Sequence, residues 1–178
     1  MIRFTPKQIE VVESADENRV TLVSACIHSG KTTLARYLFN KYAPLCTTIY
    51  VAPTHRQVHQ HPTDDFCVTQ EDFMNMGGLH DPNMTVIMDE AWSMGEGAWE
   101  MAEALTVGRT SRLIAIGTPN IFIGKAYRRL PGYPTINIRF KDCSGVPKLI
   151  SKETVSFYQD RFGEGSPELN TAILGEFV

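Results

Sequence analysis

Apolar and polar positions along the chain fall into two kinds of run. Val20-Thr21-Leu22-Val23-Ser24-Ala25, Thr47 to Val51, Thr85-Val86-Ile87-Met88 and Arg112-Leu113-Ile114-Ala115-Ile116 are short, mostly apolar and rich in β-branched residues. That is the profile of strands buried on both faces of a sheet. Thr135 to Phe140 alternates instead and predicts a fifth strand. Between these runs the period changes. Thr5-Pro6-Lys7-Gln8 sets a capping hydroxyl before a proline, and Ile9, Val12 and Ala15 then recur at helical spacing, predicting a helix to about Ser14. Lys31 to Tyr42 puts Leu34, Tyr37, Leu38 and Tyr42 on one helical face and stops before Pro44. Thr69-Gln70-Glu71-Asp72 predicts a capping box opening a short helix that Gly77-Gly78 closes. Ser151 opens a helix to about Arg161, Gly163-Glu164-Gly165 breaks it, and Ser166-Pro167-Glu168 starts another.

Strands alternating with helices predict an α/β fold: a mostly parallel sheet, helices on both faces, and a short helical C-terminal tail. Residues 1–145 form the core and 146–178 the tail of the same domain, since no repeat, low-complexity segment or long linker divides them. At 178 residues, 43% hydrophobic and 21% charged, the chain can bury a core without a disulfide or metal staple. Its apolar runs fall far short of the roughly 18 residues of a membrane span. The start, Met1-Ile2-Arg3-Phe4, lacks the apolar stretch of a secretory signal, so a cytosolic protein with no membrane partner is expected. Cys26, Cys46, Cys67 and Cys143 form no C-x-x-C pair and read as small core residues. A net charge of −3 excludes a polycation, so any nucleic-acid contact must come from a local patch.

The chemistry lies where strands end. Ala25-Cys26-Ile27-His28-Ser29-Gly30-Lys31-Thr32 follows a predicted strand, opens a predicted helix, and matches a phosphate loop everywhere but at its first place, where alanine stands for glycine. Such a loop turns backbone N–H groups toward phosphates and adds the positive end of its helix. The nucleotide-binding set runs from Ala25 through Thr33. Lys31 would reach the β- and γ-phosphates of ATP, Thr32 would offer a hydroxyl to Mg²⁺, and Gly30 would let the backbone approach closely. Asp89, closing Val86-Ile87-Met88-Asp89-Glu90, is the matching metal-binding carboxylate, and Glu90 is the candidate to polarise an attacking water. Gly117-Thr118-Pro119 ends the fourth strand at the same edge, where Thr118 could sense the γ-phosphate.

Two other clusters are less telling. His55, His59, His61, Cys67 and His80 invite a zinc reading, yet no second ligand pair matches the spacing of His55 and His59. Lys125, Arg128, Arg129, Arg139 and Lys141, interleaved with Tyr127, Tyr133 and Phe140, suit either a phosphate backbone or a solvated face.

In order, Thr5-Pro6-Lys7-Gln8, the A-x₄-G-K-T loop, Val51-Ala52-Pro53-Thr54-His55-Arg56-Gln57, Met88-Asp89-Glu90-Ala91-Trp92 and Ile116-Gly117-Thr118-Pro119 resemble the ATPase domain of viral large terminases, the DNA-packaging motors of tailed bacteriophages. Pro147 to Ser151, Gly163-Glu164-Gly165-Ser166-Pro167-Glu168 and the closing Leu174-Gly175-Glu176-Phe177-Val178 resemble the segment where that domain hands over to a nuclease. The resemblance implies a RecA-like P-loop NTPase sheet, ATP and Mg²⁺ at the loop, catalytic Glu90 and Lys31, and Gln8 near the adenine. It further implies a homo-oligomeric ring on a portal protein. Double-stranded DNA, a small terminase subunit and a nuclease, which can be a separate chain, are the other partners, in the host cytoplasm during virion assembly. A neighbour's arginine would complete each site. Arg56 is the first candidate, ahead of Arg109 and Arg112.

Three departures stand out. Ile27 and His28 occupy the places where terminase loops carry an arginine, Ala25 replaces the first glycine, and the chain ends where the nuclease would begin, with no acid cluster for a two-metal site. This chain alone is not expected to cut DNA. Two other functions fit the same motifs: a nucleotide-binding assembly or regulatory module without catalysis, and the first domain of a DEAD-like helicase.

Overall fold

The computed structural model describes residues 3–58, 66–119, 133, 135–143, 146 and 149–177. Among the described residues six strands form one sheet: β1 (Val20–Ala25), β2 (Thr47–Ala52), β3 (Cys67–Thr69), β4 (Met84–Asp89), β5 (Arg112–Gly117) and β6 (Thr135–Ile138). Their order is β3-β2-β4-β5-β1-β6. Every pairing is parallel, which sharpens the expected mostly parallel sheet.

Helices α1 (Pro6–Glu17), α2 (Lys31–Tyr42), α3 (His55–Val58), α4 (Gln70–Met74) and α5 (Glu96–Leu105) are followed by helices Phe140–Cys143 and Lys152–Phe162. Parallel strands need crossovers, and α2, α3, α4 and α5 lie on those that join β1 to β5 in turn. The last turn, Pro167–Leu169, continues as a π-helical stretch, Asn170–Leu174. No helix among the described residues is long and apolar enough to cross a membrane.

Alternate residues of each strand face opposite layers. Val23, Ala25, Tyr50, Ala52, Ile87, Ile114 and Ile116 meet α1, α2 and the tail. Leu22, Ile49, Val51, Val86, Met88, Leu113 and Ala115 meet α4 and α5 through Phe73, Ala98, Trp99 and Ala102. Asp89 continues the first set, since it lies two residues beyond Ile87. The carboxylate therefore belongs to the α2 side of the sheet, where Lys31 also stands.

Some helix faces differ from expectation. On α1 the buried positions are Gln8, Val11 and Ala15, while Ile9 is 46% exposed. A capping box causes the rotation: Thr5 Oγ1 accepts from the Gln8 N–H and Gln8 Oε1 accepts from the Thr5 N–H, which turns Gln8 inward. The helix also runs a turn past Ser14, with Ala15 in the core. On α2, Ala35 and Phe39 join Leu34, Leu38 and Tyr42 in the buried stripe, and Tyr37 lies outside it, edge-on to Phe4 with centroids 4.9 Å apart. The alternation at 135–140 ends at Ile138 because Phe140 begins a helix. Thr69 caps α4 as expected, but Asp72 bonds the Thr69 hydroxyl rather than a backbone N–H.

Candidate functional site

Loop, acid pair and G-T-P segment meet at the C-terminal edge of the sheet, the edge where open α/β sheets bind ligands. The loop turns on two left-handed residues, His28 (φ 51°) and Gly30 (φ 79°). For glycine this is free, whereas for His28 it costs on the order of 1–2 kcal/mol. Glu90 (φ 56°) is the other described non-glycine residue of this kind. Both strained residues lie in the candidate site, the usual place for strain that surrounding structure enforces.

The loop is held from three sides. Gln8, 3% exposed, donates from Nε2 to the Ser29 carbonyl at 2.8 Å. The tail supplies the second hold: the Ile27 N–H donates to the Ala172 carbonyl (2.8 Å) and the Ile150 N–H to the His28 carbonyl (3.0 Å). Third, the Cys26 N–H donates to the Ile138 carbonyl of β6 (2.8 Å). A side chain at Gly175 would stand 3.0 Å from the Ala25 carbonyl carbon and the Cys26 nitrogen, so the closing L-G-E-F segment approaches the loop as only glycine permits. Beneath the loop, a bond to the Cys143 thiol and burial push the Cys26 thiol up, so it stays protonated.

The fit to a phosphate rests on the donors that remain. Among the described residues, the N–H groups of His28 to Thr32 make no well-formed hydrogen bond to a protein oxygen, while their neighbours Cys26 and Ile27 are paired. Such a row of N–H groups at a helix start suits an anion. Lys31 Nζ, in a residue 8% exposed, donates to the Cys26 carbonyl at 3.2 Å and lies 3.6 Å from Glu90 Oε1. The expected catalytic pair, Lys31 and Glu90, is thus brought together.

Asp89 is fully buried at the end of β4. The Glu90 N–H donates to its Oδ1 (3.1 Å) and the Tyr50 hydroxyl to its Oδ2 (2.7 Å). Burial, followed by the charge of Asp89, pushes the Tyr50 hydroxyl up, so it remains a donor. A carboxylate offers about four acceptor sites, so two donors leave it acceptor capacity for a cation or a cation's water. With the Thr32 hydroxyl on the first turn of α2, this oxygen set suits Mg²⁺.

Glu90 is half-buried, and its Oε2 accepts from the Thr118 N–H at 3.4 Å. The G-T-P segment therefore reaches the acid through its backbone. Gly117 allows this: a Cβ there would lie 2.6 Å from Trp92 Cδ1 and 3.1 Å from the Ala91 and Trp92 nitrogens. Trp92 is fixed in turn by a bond from Nε1 to the Val23 carbonyl (3.0 Å), by stacking on Trp99 and by the edge-on ring of Phe177.

The remaining candidates lie apart. Gln8 spends its amide on the cap and on Ser29. Arg56 is exposed on α3, just beyond the end of β2, and Arg109 is exposed near the opposite edge. Arg112, at the start of β5, donates from Nε to the Ala15 carbonyl and stacks over the Tyr42 ring. Of the histidine cluster, His59 and His61 lie outside the described residues, as do Lys125, Arg128, Arg129 and Tyr127 of the basic stretch. Arg139 is paired with Glu176 at 2.9 Å. Tyr50, Ile150 and Ala172 carry no local signal in the sequence. Tyr50 reads as one more apolar strand residue, and the other two act through backbone atoms.

No protein-family model matches the chain, and no curated protein matches it. Among solved structures, it is similar to the large terminase from a thermophilic bacteriophage in complex with ADP, with a TM-score of 0.67 and 16% identity over 98% of this chain and 54% of that one. A second crystal form of that terminase gives a TM-score of 0.64 and 15% identity over 99% of this chain and 54% of that one. The likeness is one of fold: this chain shares with those terminases the all-parallel α/β sheet of the RecA-like kind. The chain spans about half the length of the terminases it matches.

Proposed function

We propose that this chain binds and hydrolyses ATP with Mg²⁺ and serves as the ATPase motor of a large terminase, driving double-stranded DNA into a viral capsid. The observation that carries the reading is the juxtaposition of Lys31 and Glu90, 3.6 Å apart, beside a loop whose N–H groups from His28 to Thr32 make no well-formed bond to protein oxygen. The whole-chain likeness in fold to a terminase solved with ADP supports it.

In this reading the loop N–H groups and Lys31 bind the phosphates, and Lys31 exchanges the Cys26 carbonyl for a phosphoryl oxygen. Thr32 and Asp89 would hold Mg²⁺, whose chemistry is to neutralise charge on the phosphates. Glu90, oriented by its left-handed backbone and by the Thr118 N–H, positions the attacking water and draws its proton. Release of Glu90 Oε2 shifts the Thr118 segment, and Trp92 with Phe177 relays that shift to the tail. In this reading Arg56, exposed on α3, is the arginine offered to a neighbouring copy, where an arginine against the transferring phosphoryl group is worth roughly a thousandfold or more. The portal, the small subunit, the ring and the separate nuclease belong to this reading as partners.

The test is ATP turnover per chain across protein concentration, with and without duplex DNA, with Glu90→Gln as blank. Turnover that rises with concentration and duplex and vanishes in Glu90→Gln is expected. Turnover at the blank level throughout, with ATP still bound, would instead mean a nucleotide-binding module.

A further inference from the structure

Tyr50 pairs in register with Ile87 of β4. Asp89 is two residues further along the same strand and so shares the face toward which Tyr50 points, one diagonal step away. Tyr50 and Asp89 are both fully buried. The ring packs edge-on to Phe39, centroids 6.3 Å apart, and its hydroxyl reaches Asp89 Oδ2 at 2.7 Å. The Glu90 N–H holds the other carboxylate oxygen. A terminal carboxylate torsion is otherwise broad and soft. Here donors on either side set its plane before anything binds, and because both side chains are buried, bulk water cannot take over from a lost donor.

We propose that Tyr50 is a positioning residue for the Asp89 carboxylate, holding it in the orientation that receives Mg²⁺ with the nucleotide. The inference rests on the Mg²⁺-nucleotide reading above and adds to it a residue outside every motif of the site. Partners that orient a metal-binding carboxylate or imidazole typically contribute tenfold to a hundredfold in metal affinity.

The experiment is titration of the chain with a fluorescent ADP analogue, in Mg²⁺ and in EDTA, for wild type, Tyr50→Phe and Tyr42→Phe. Tyr42 donates to Asp16 Oδ1 at 2.8 Å at the far end of α2, so Tyr42→Phe removes a bond of the same kind away from the site. Tyr50→Phe is expected to reduce the Mg²⁺-dependent gain in affinity about tenfold, with EDTA affinity unchanged and with Tyr42→Phe like wild type. Equal losses in Mg²⁺ and EDTA, or no loss at all, would overturn the inference. Nuclear magnetic resonance of the wild-type chain gives a second test that needs no variant. The buried Tyr50 hydroxyl proton is expected to shift when Mg²⁺ joins the ADP complex and to stay put when ADP binds alone; a proton indifferent to Mg²⁺ overturns the inference. A wild type whose ADP affinity ignores Mg²⁺ brings down the metal reading with it. A Mg²⁺-dependent wild type matched by Tyr50→Phe brings down this inference alone.

Discussion

Replacing Gly117 by alanine separates the packing of the site from its chemistry. In a strand, alanine should be the better residue by roughly 0.5–1 kcal/mol, because glycine loses more backbone freedom on folding. Here the new methyl would sit 2.6 Å from Trp92 Cδ1 and 3.1 Å from the Ala91 and Trp92 nitrogens. Neither neighbour yields easily. The indole donates to the Val23 carbonyl, stacks on Trp99 with centroids 5.3 Å apart, and meets Phe177 edge-on at 4.9 Å. Overpacking of this kind costs about 1–3 kcal/mol. After the alanine gain is subtracted, about 1 kcal/mol of destabilisation remains at the middle of a range of about 0–2.5 kcal/mol, or roughly 0.5 M in urea midpoint at an m value near 2 kcal/mol/M. What gives way is the turn that begins at Glu90, so the acid moves against its Thr118 partner. Misplacement by about 1 Å can cost on the order of 100-fold in rate. Urea unfolding and single-turnover ATP hydrolysis measure the two effects, with ADP affinity near wild type. A Gly117→Ala protein as stable and as fast as wild type would refute the packing argument.

Gln8→Glu keeps an oxygen for the Thr5 N–H but has no donor for the Ser29 carbonyl, so stability is expected to fall by about 1–3 kcal/mol and ADP affinity with it; urea unfolding and ADP titration check both. Burial would push the Asp16 carboxyl up, but hydrogen bonds from Lys41 and Tyr42 and the charges of Lys41 and Arg112 outweigh it and hold the carboxyl below its ordinary value. Its contribution is therefore complete above the usual carboxylate range and fades as pH falls through the lowered value. Asp16→Asn should lower stability at neutral pH and narrow its gap to wild type in acid; a pH-independent gap in urea midpoint would contradict this.

Much of the fold is legible because strong local signals agree with the tertiary structure. Val20–Ala25 and Lys31–Tyr42 match their predicted bounds, since a β-branched run, a loop glycine and a following proline each mark an edge. The loop between β1 and α2 and the end of β4 at Asp89 are legible for the same reason, since each lies where a strand run gives way to a different pattern. Strand β3 is less so: with only Cys67-Val68-Thr69 it carries too little period to read. The α1 face misleads because Ile9 and Val12 suggest one stripe, while the capping box commits the buried side to a polar residue, Gln8. Tyr50 at Asp89 and Ala172 at Ile27 join residues 39 and 145 positions apart, contacts that only the sheet order and the returning tail create.

The central claim is that Lys31 and Glu90 face one bound ATP, the first to hold it and the second to cleave it. The most direct measurement is ATP binding and single-turnover hydrolysis in the Mg²⁺-loaded chain, assembled at high concentration with duplex DNA, for wild type, Lys31→Ala and Glu90→Gln. The account predicts that Lys31→Ala loses binding, whereas Glu90→Gln binds ATP as tightly as wild type and leaves it intact. Hydrolysis that survives Glu90→Gln, or binding that survives Lys31→Ala undiminished, would contradict it.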